Sequence, residues 1–199
     1  MSPRAIWVGS ALFLLAGGWL PARAEKYLGA TEAARIAFPA AEVFRERWVE
    51  LTPSETKAIA QKAGVKVRVA KVRLILAERG TNLVGIVLVD QVIGKHELID
   101  YAVALVPEGT IAAVEILEYR ENYGQAIKQA KWRAQFRDKS VASPLKLNDD
   151  IYNISGATLS CRHVAEGIKR LLATFDMVVR PRVLSSAGRV PGQPGEREP

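Results

Sequence analysis

The sequence predicts an α+β domain, an antiparallel sheet with helices packed on it. Three observations carry that expectation. The middle of the chain holds consecutive β-rich runs separated by short Gly- and Pro-containing turns, for which a meander is the simplest arrangement. Helical spacing stands before and after those runs. With 49% apolar and 25% charged residues, the composition is that of an ordinary globular chain.

The elements follow in order. Arg4 precedes an uncharged, mostly apolar run from Ala5 to Leu20, and Pro21-Ala22-Arg23-Ala24 closes it. A basic start, an apolar stretch too short to span a bilayer comfortably and an Ala-x-Ala ending read as a secretory signal peptide over residues 1–24. Cleavage after Ala24 would release a periplasmic chain beginning at Glu25. Residues 25–64 read as an N-terminal helical segment: Thr31–Phe38 is a short helix stopped by Pro39, and Thr52-Pro53-Ser54-Glu55 is a capping box with proline in the first turn and Gly64 as the stop. From Val65 the period changes to two, with Val65, Val67 and Val69 on one face. Val72, Leu74 and Leu76 follow after a slip that predicts a bulge near Ala70.

Leu83–Val92, Leu98–Val106 and Ile111–Tyr119 read as further strands. Gly124–Phe136 returns to helical spacing through Ile127, Ala130 and Ala134. A last helix over Leu159–Phe175 aligns Val164, Ile168, Leu171, Leu172 and Phe175. The domain thus spans 65–179, and residues 180–199, with almost nothing to bury, are expected to form a disordered tail.

Charge and rare residues narrow the function. The formal net charge is +7 and the pI about 9.7, which favours anionic partners, phosphates or membrane surfaces. Export sets nucleic acid aside as a partner. A single cysteine, Cys161, excludes an intramolecular disulfide framework and multi-cysteine metal sites, and His96 and His163 alone supply a metal site poorly.

The informative stretch runs from Asp150 to Ser160, immediately before the last helix. A turn at Gly156 would expose the Thr158 hydroxyl while free N–H groups of the following helix face whatever that oxygen carries. Such a helix start favours an anion by roughly 0.3–1 kcal/mol. The residues alone favour Thr158 and Ser160 as N-caps of that helix. Tyr119, Tyr123 and Trp132 read as ring neighbours or core aromatics, Cys161 as a packing residue, and Arg120 and Lys139 as phosphate-neutralising or merely solvated charges.

Ser155-Gly156-Ala157-Thr158 resembles the flavin-attachment sequence of the FMN-binding domain family, which includes the C subunit of the sodium-pumping NADH:quinone oxidoreductase and the G subunit of the Rnf complex. Glu118-Tyr119-Arg120-Glu121-Asn122-Tyr123-Gly124 and Trp132-Arg133-Ala134-Gln135-Phe136 are similar to that family's flavin-side loop and the helix after it. The loop departs from membrane-complex members, which usually carry Thr-Pro-Gly-Leu-Gly there.

The resemblance covers about Val65 to Phe175 and implies a fold of the FMN-binding domain type. It further implies FMN joined to Thr158 by a phosphoester bond, installed from FAD by a flavin transferase, with Ser155, Gly156, Ala157, Ser160, Glu121 and Tyr123 around it. No acid/base or nucleophile–base pair marks a separate catalytic site, so the expectation is an electron carrier serving a membrane oxidoreductase or exported cytochrome. The alternatives are an exported binding or assembly factor of the same fold without flavin, or a small flavin-dependent reductase.

Overall fold

The computed structural model describes residues 25–26, 28–121 and 124–184. Strands β1 (Glu25–Lys26), β2 (Val43–Glu50), β3 (Lys71–Arg79), β4 (Asn82–Ile93), β5 (Leu98–Leu105) and β6 (Ile111–Tyr119) form one antiparallel sheet. Their order is β1-β6-β5-β4-β3-β2, so β3 to β6 make the expected meander, with β2 added beside β3 at one edge and the short β1 beside β6 at the other. The expected signal peptide and the tail from residue 185 lie outside the described residues.

The stretch 25–64 is not wholly helical. Helices α1 (Ala30–Ala37) and α2 (Pro53–Ala63) stand where the sequence places them, but β2 lies between them. An edge strand with both faces largely exposed carries no hydrophobic period, which is why the pattern conceals it. Its register against β3 is supported by charge: Arg73 donates to Glu46 at 3.0 and 2.7 Å, and Arg45 lies 3.2 Å from Glu78.

The capping box of α2 forms as read. Thr52 Oγ1 accepts from the Glu55 N–H at 3.2 Å, Glu55 Oε2 accepts from the Thr52 N–H at 2.8 Å, and Gly64 closes the helix at φ 67°. The predicted strand at Val65–Val69 and its bulge near Ala70 are absent. The β3 strand starts at Lys71, opposite Glu50; the Ala70 carbonyl still accepts from the Leu51 N–H at 2.8 Å, but beyond Leu51 the partner chain turns into α2 and leaves 65–69 without a strand opposite them. The β3–β4 irregularity falls instead at Ala77/Glu78.

The sheet is covered unequally. On one side Ile75, Ala77, Val87, Ala102, Ala104 and Leu117 meet Ala30, Ala33 and Ala34 of α1; alanines on both partners let helix and sheet approach closely. The other side presents Leu74, Leu76, Ile86, Leu88, Val103 and Leu105 to the main core. Helix α3 (Ala130–Ala134) and the long helix α4 (Thr158–Thr174) contribute Trp132, Val164, Ile168, Leu171 and Leu172 to it. Burial on both faces makes the central strands nearly continuous apolar runs.

Two helical expectations are corrected. Gly124–Phe136 is broken into a 3-10 turn, Gln125–Lys128, and α3, because extended Gln129 between them (ψ 133°) lets Ile127 and Trp132 both turn inward. Beyond α4 the chain continues as a π-helix, Phe175–Leu184, five residues into the stretch expected to be tail. Buried Val178 and Val179 hold it, and Arg182 donates to the Glu50 carbonyl at 2.8 Å and pairs with Glu55.

Helix α4 is locked on the sheet by a buried polar set. The Tyr101 hydroxyl donates to Asp90 Oδ2 at 2.7 Å, and Arg170 pairs with the same carboxylate. Gly167 leaves room for it, since a Cβ there would sit well inside van der Waals contact of the Tyr101 oxygen. Gly167→Ala is therefore expected to destabilise by about 1–3 kcal/mol through overpacking, against a helix-propensity gain of at most ~1 kcal/mol. Urea unfolding with a lowered midpoint checks this; an unchanged midpoint would mean that Tyr101 moves aside freely.

Candidate functional site

The segment from Arg137 to Ala157 has almost no regular structure, and Asp150 organises it. Its carboxylate accepts from the N–H groups of Leu145 (3.1 Å) and Lys146 (2.7 Å) and from Lys139 (2.9 Å). Burial opposes the charge, but these donors outweigh it and hold the Asp150 carboxyl below its ordinary range. Downstream, the Trp132 indole donates to the Tyr152 carbonyl at 2.8 Å and the Tyr152 N–H donates to Gln135 at 2.6 Å, fastening the next residues to α3.

The chain then turns. The Ala157 N–H donates to the Ile154 carbonyl at 2.9 Å across Ser155 and Gly156, and Gly156 takes φ 80°, which the third position of such a turn requires. Ala157, buried, is the N-cap of α4, with no side-chain capping bond. Thr158 is the first helical residue rather than a cap. Its hydroxyl, half-buried, accepts from Asn153 Nδ2 at 3.1 Å, while Asn153 Oδ1 is buried without a partner. Among the described residues no side chain caps the first backbone N–H groups of the helix, which start beside an oriented hydroxyl and an orphaned amide oxygen.

Ser155 and Gly156 are exposed at this turn. Ser160 is only 4% exposed and turns into the core. The two segments singled out in the sequence meet: Gly124, at φ 77°, packs so closely that a Cβ there would lie 3.1 Å from the Ala157 Cβ and 2.9 Å from the Tyr119 hydroxyl. Only glycine accepts both that backbone and that approach. Tyr123 lies outside the described residues.

Glu121 serves the β4–β5 hairpin. Its buried carboxylate accepts from the N–H groups of His96 (2.5 Å) and Glu97 (3.0 Å) in the turn. Gly94 makes the space, since a Cβ there would come 2.6 Å from Glu121 Oε1. From α4, His163 Nδ1 reaches the Ile93 carbonyl at 2.6 Å and the Gly94 carbonyl at 3.1 Å. One hairpin turn therefore ties Glu121 to the second turn of α4.

Trp132 and Tyr119 are core residues, Trp132 standing edge-on to Phe136 at 5.1 Å. Cys161 is buried in the core, and burial pushes its thiol up. Asn153 and the Gly94–His163 link escaped the sequence reading. Asn153 comes back to Thr158 only through the turn closed between Ile154 and Ala157, and Gly94 is brought to α4 only by the meander.

Residues 94–173 match the family model described as FMN-binding domain, a span that starts at the clamped hairpin and ends near the end of α4. Those residues belong to the FMN-binding domain family. Among solved structures the chain is similar to NqrC of Shewanella oneidensis, with 17% identity over 76% of this chain and 88% of that one and a TM-score of 0.50, a likeness of fold. No curated protein matches the chain. The FMN-binding domain so delimited contains the hairpin, the 121–124 loop, the turn at Gly156 and the start of α4. Its residues fit a flavin phosphate: the uncapped helix start offers donors, and Asn153 Nδ2 holds the Thr158 oxygen beside them.

Glu121 gives this arrangement a pH signature. Burial works against its charge, but the N–H groups of Glu97, His96 and Lys95 together hold its carboxyl below the ordinary range. A carboxyl with a lowered native pKa contributes stability that is complete above its unfolded value, about 4.3, and is lost as pH falls through the native value. Glu121→Gln removes that titration. Its stability deficit, measured by urea unfolding, should be largest near pH 7 and shrink towards pH 3; a deficit constant with pH would contradict the clamp.

Proposed function

We propose that this chain is an exported electron-transfer flavoprotein carrying FMN covalently through a phosphoester bond to Thr158. The observation that carries the reading is the position of Thr158: first residue of α4, half-buried, no side-chain cap on the helix, and directly behind the contact between Gly124 and Ala157. The family of residues 94–173 supplies the cofactor class. FMN, when bound, supplies one- and two-electron redox chemistry to a domain that has no evident acid/base machinery of its own.

The chain's own residues have defined parts. Asn153 orients the Thr158 oxygen, and the N–H groups of the first turn of α4 face the anion that oxygen would carry. In maturation by a flavin transferase, Thr158 Oγ1 would replace AMP on the FMN phosphorus of FAD, with the hydroxyl proton passing to the transferase. Ser155, Gly156 and Ala157 shape the turn that presents the hydroxyl, and Glu121 holds the start of the facing loop through the hairpin.

Residues 1–24 would direct export and be cut after Ala24, leaving Glu25 in β1 as the first residue of a periplasmic protein. Among the described residues no helix is long and apolar enough to cross a membrane. The electron partners fitting a basic exported carrier are a membrane oxidoreductase or an exported cytochrome, met through acidic or membrane-associated surfaces.

Intact-mass and absorbance measurements on protein made in the periplasm together with a flavin transferase test the reading. A yellow protein whose mass exceeds the unmodified chain by one FMN phosphoester is expected. Thr158→Ala should be colourless and of unmodified mass, and Ser160→Ala should still carry flavin. A colourless parent protein would overturn the proposal, and covalent flavin persisting in Thr158→Ala would move the attachment elsewhere.

A further inference from the structure

The two basic residues that the sequence offers as phosphate neutralisers already have acids. Arg120 lies 3.0 Å from Asp100 and 2.7 Å from Glu118, and Lys139 lies 2.9 Å from Asp150. Neither candidate from the sequence is a free counter-charge. Arg162 is different: it is exposed, and its side chain has no hydrogen bond or ion pair among the described residues.

Its place on the helix gives that freedom a direction. Residues four apart share a helix face with Cβ atoms about 5–6 Å apart. Every Cα–Cβ bond tilts towards the N-terminus, so long side chains cover the turn before their own. Arg162 stands four residues after Thr158 and therefore leans over the turn that Thr158 begins. Glu166 stands one turn the other way, and no ion pair joins the two.

An unpaired guanidinium over the positive end of a helix is locally unfavourable. It becomes favourable only when an anion is present. The Asn153 amide does not supply that anion's partner: its Nδ2 is committed to Thr158 Oγ1 at 3.1 Å and its Oδ1 is an acceptor, so a counter-charge must come from another side chain.

We propose that Arg162 is the anion-pairing residue of this site, its guanidinium donating to the non-bridging phosphate oxygens of the group on Thr158. The inference rests on the flavin reading above. It assigns to this chain a counter-charge that neither Arg120 nor Lys139 supplies. In the unloaded protein the same residue slightly opposes the helix start, so its contribution changes sign with occupancy.

The experiment compares Arg162→Ala, Arg162→Lys and Arg162→Glu, with Arg68→Ala, an exposed arginine of the α2–β3 loop, as a control for net charge. With limiting transferase, the rate of flavin attachment read by intact mass should fall about three- to tenfold in Arg162→Ala, and further in Arg162→Glu. Arg162→Lys should recover most of it, and Arg68→Ala should match the parent. The ³¹P resonance of the loaded phosphoester should move in Arg162→Ala and stay in Arg68→Ala.

Thermal unfolding adds the sign test. Arg162→Ala should melt at or above the parent when both are unloaded, and below it when both are loaded. Arg162→Glu attached at the parental rate with an unmoved ³¹P resonance would overturn the proposal. Titration of unloaded protein with inorganic phosphate separates the two readings. Shifts of the amide resonances of Thr158, Leu159 and Ser160 in the parent, lost in Arg162→Glu, would uphold anion pairing even if the parent took no flavin. Equal shifts in both proteins would remove Arg162 from the site whatever the cofactor.

Discussion

Asp90 joins β4, β5 and α4 through one carboxylate. It accepts the Tyr101 hydroxyl and pairs with Arg170, and all three side chains are buried or nearly so: Tyr101 is fully buried and Asp90 only 7% exposed. Burial, with the Asp90 charge beside it, pushes the Tyr101 hydroxyl well above its usual range, so it stays a donor. Leaving one member of such a set alone in the interior typically costs about 3–5 kcal/mol. Alternative placements of α4 that would separate Arg170 from Asp90 are correspondingly disfavoured. Thr158 lies about 18 Å from Arg170 along the same rod at ~1.5 Å per residue, so a contact in the core fixes where the hydroxyl stands at the rim.

The other end of the rod is fixed from the side. His163 holds the carbonyls of the β4–β5 turn, Glu121 holds its N–H groups, and Gly124 presses on Ala157. Hairpin, loop and helix start are thereby mutually braced, each through a polar bond to backbone or a contact that only glycine permits. The binding of a phosphate needs such bracing more than it needs many side chains, because backbone donors act together only when the turn is held still.

Much of this was legible in the residues. The capping box at Thr52, the meander from Lys71 to Tyr119 and the apolar stripe of α4 each carry a local signal, and the turn at Gly156 was readable from its glycine. What stayed hidden depends on partners distant in sequence. The β2 strand has no period because it is an exposed edge. Val65–Val69 alternates like a strand, yet the chain that would pair with it has become α2. Arg120 and Lys139 looked available until Asp100, Glu118 and Asp150 were brought to them, and Glu121 looked like a cofactor ligand until the hairpin supplied its N–H groups. A single sequence exposes spacing along one element; it does not expose which charge is already neutralised by another.

Two hydroxyls two residues apart, Thr158 and Ser160, face opposite environments, one half-buried at the rim and one 4% exposed. A helix turns about 100° per residue, so these oxygens point roughly 200° apart. A modifying enzyme meeting the intact domain would need no fine discrimination between serine and threonine to act on one position. For the attachment proposed above, regioselectivity would reside in the phase of α4. Insertion or deletion of one residue between the Gly156 turn and Cys161 would rotate a different side chain to the rim and change the acceptor without altering the motif's chemistry.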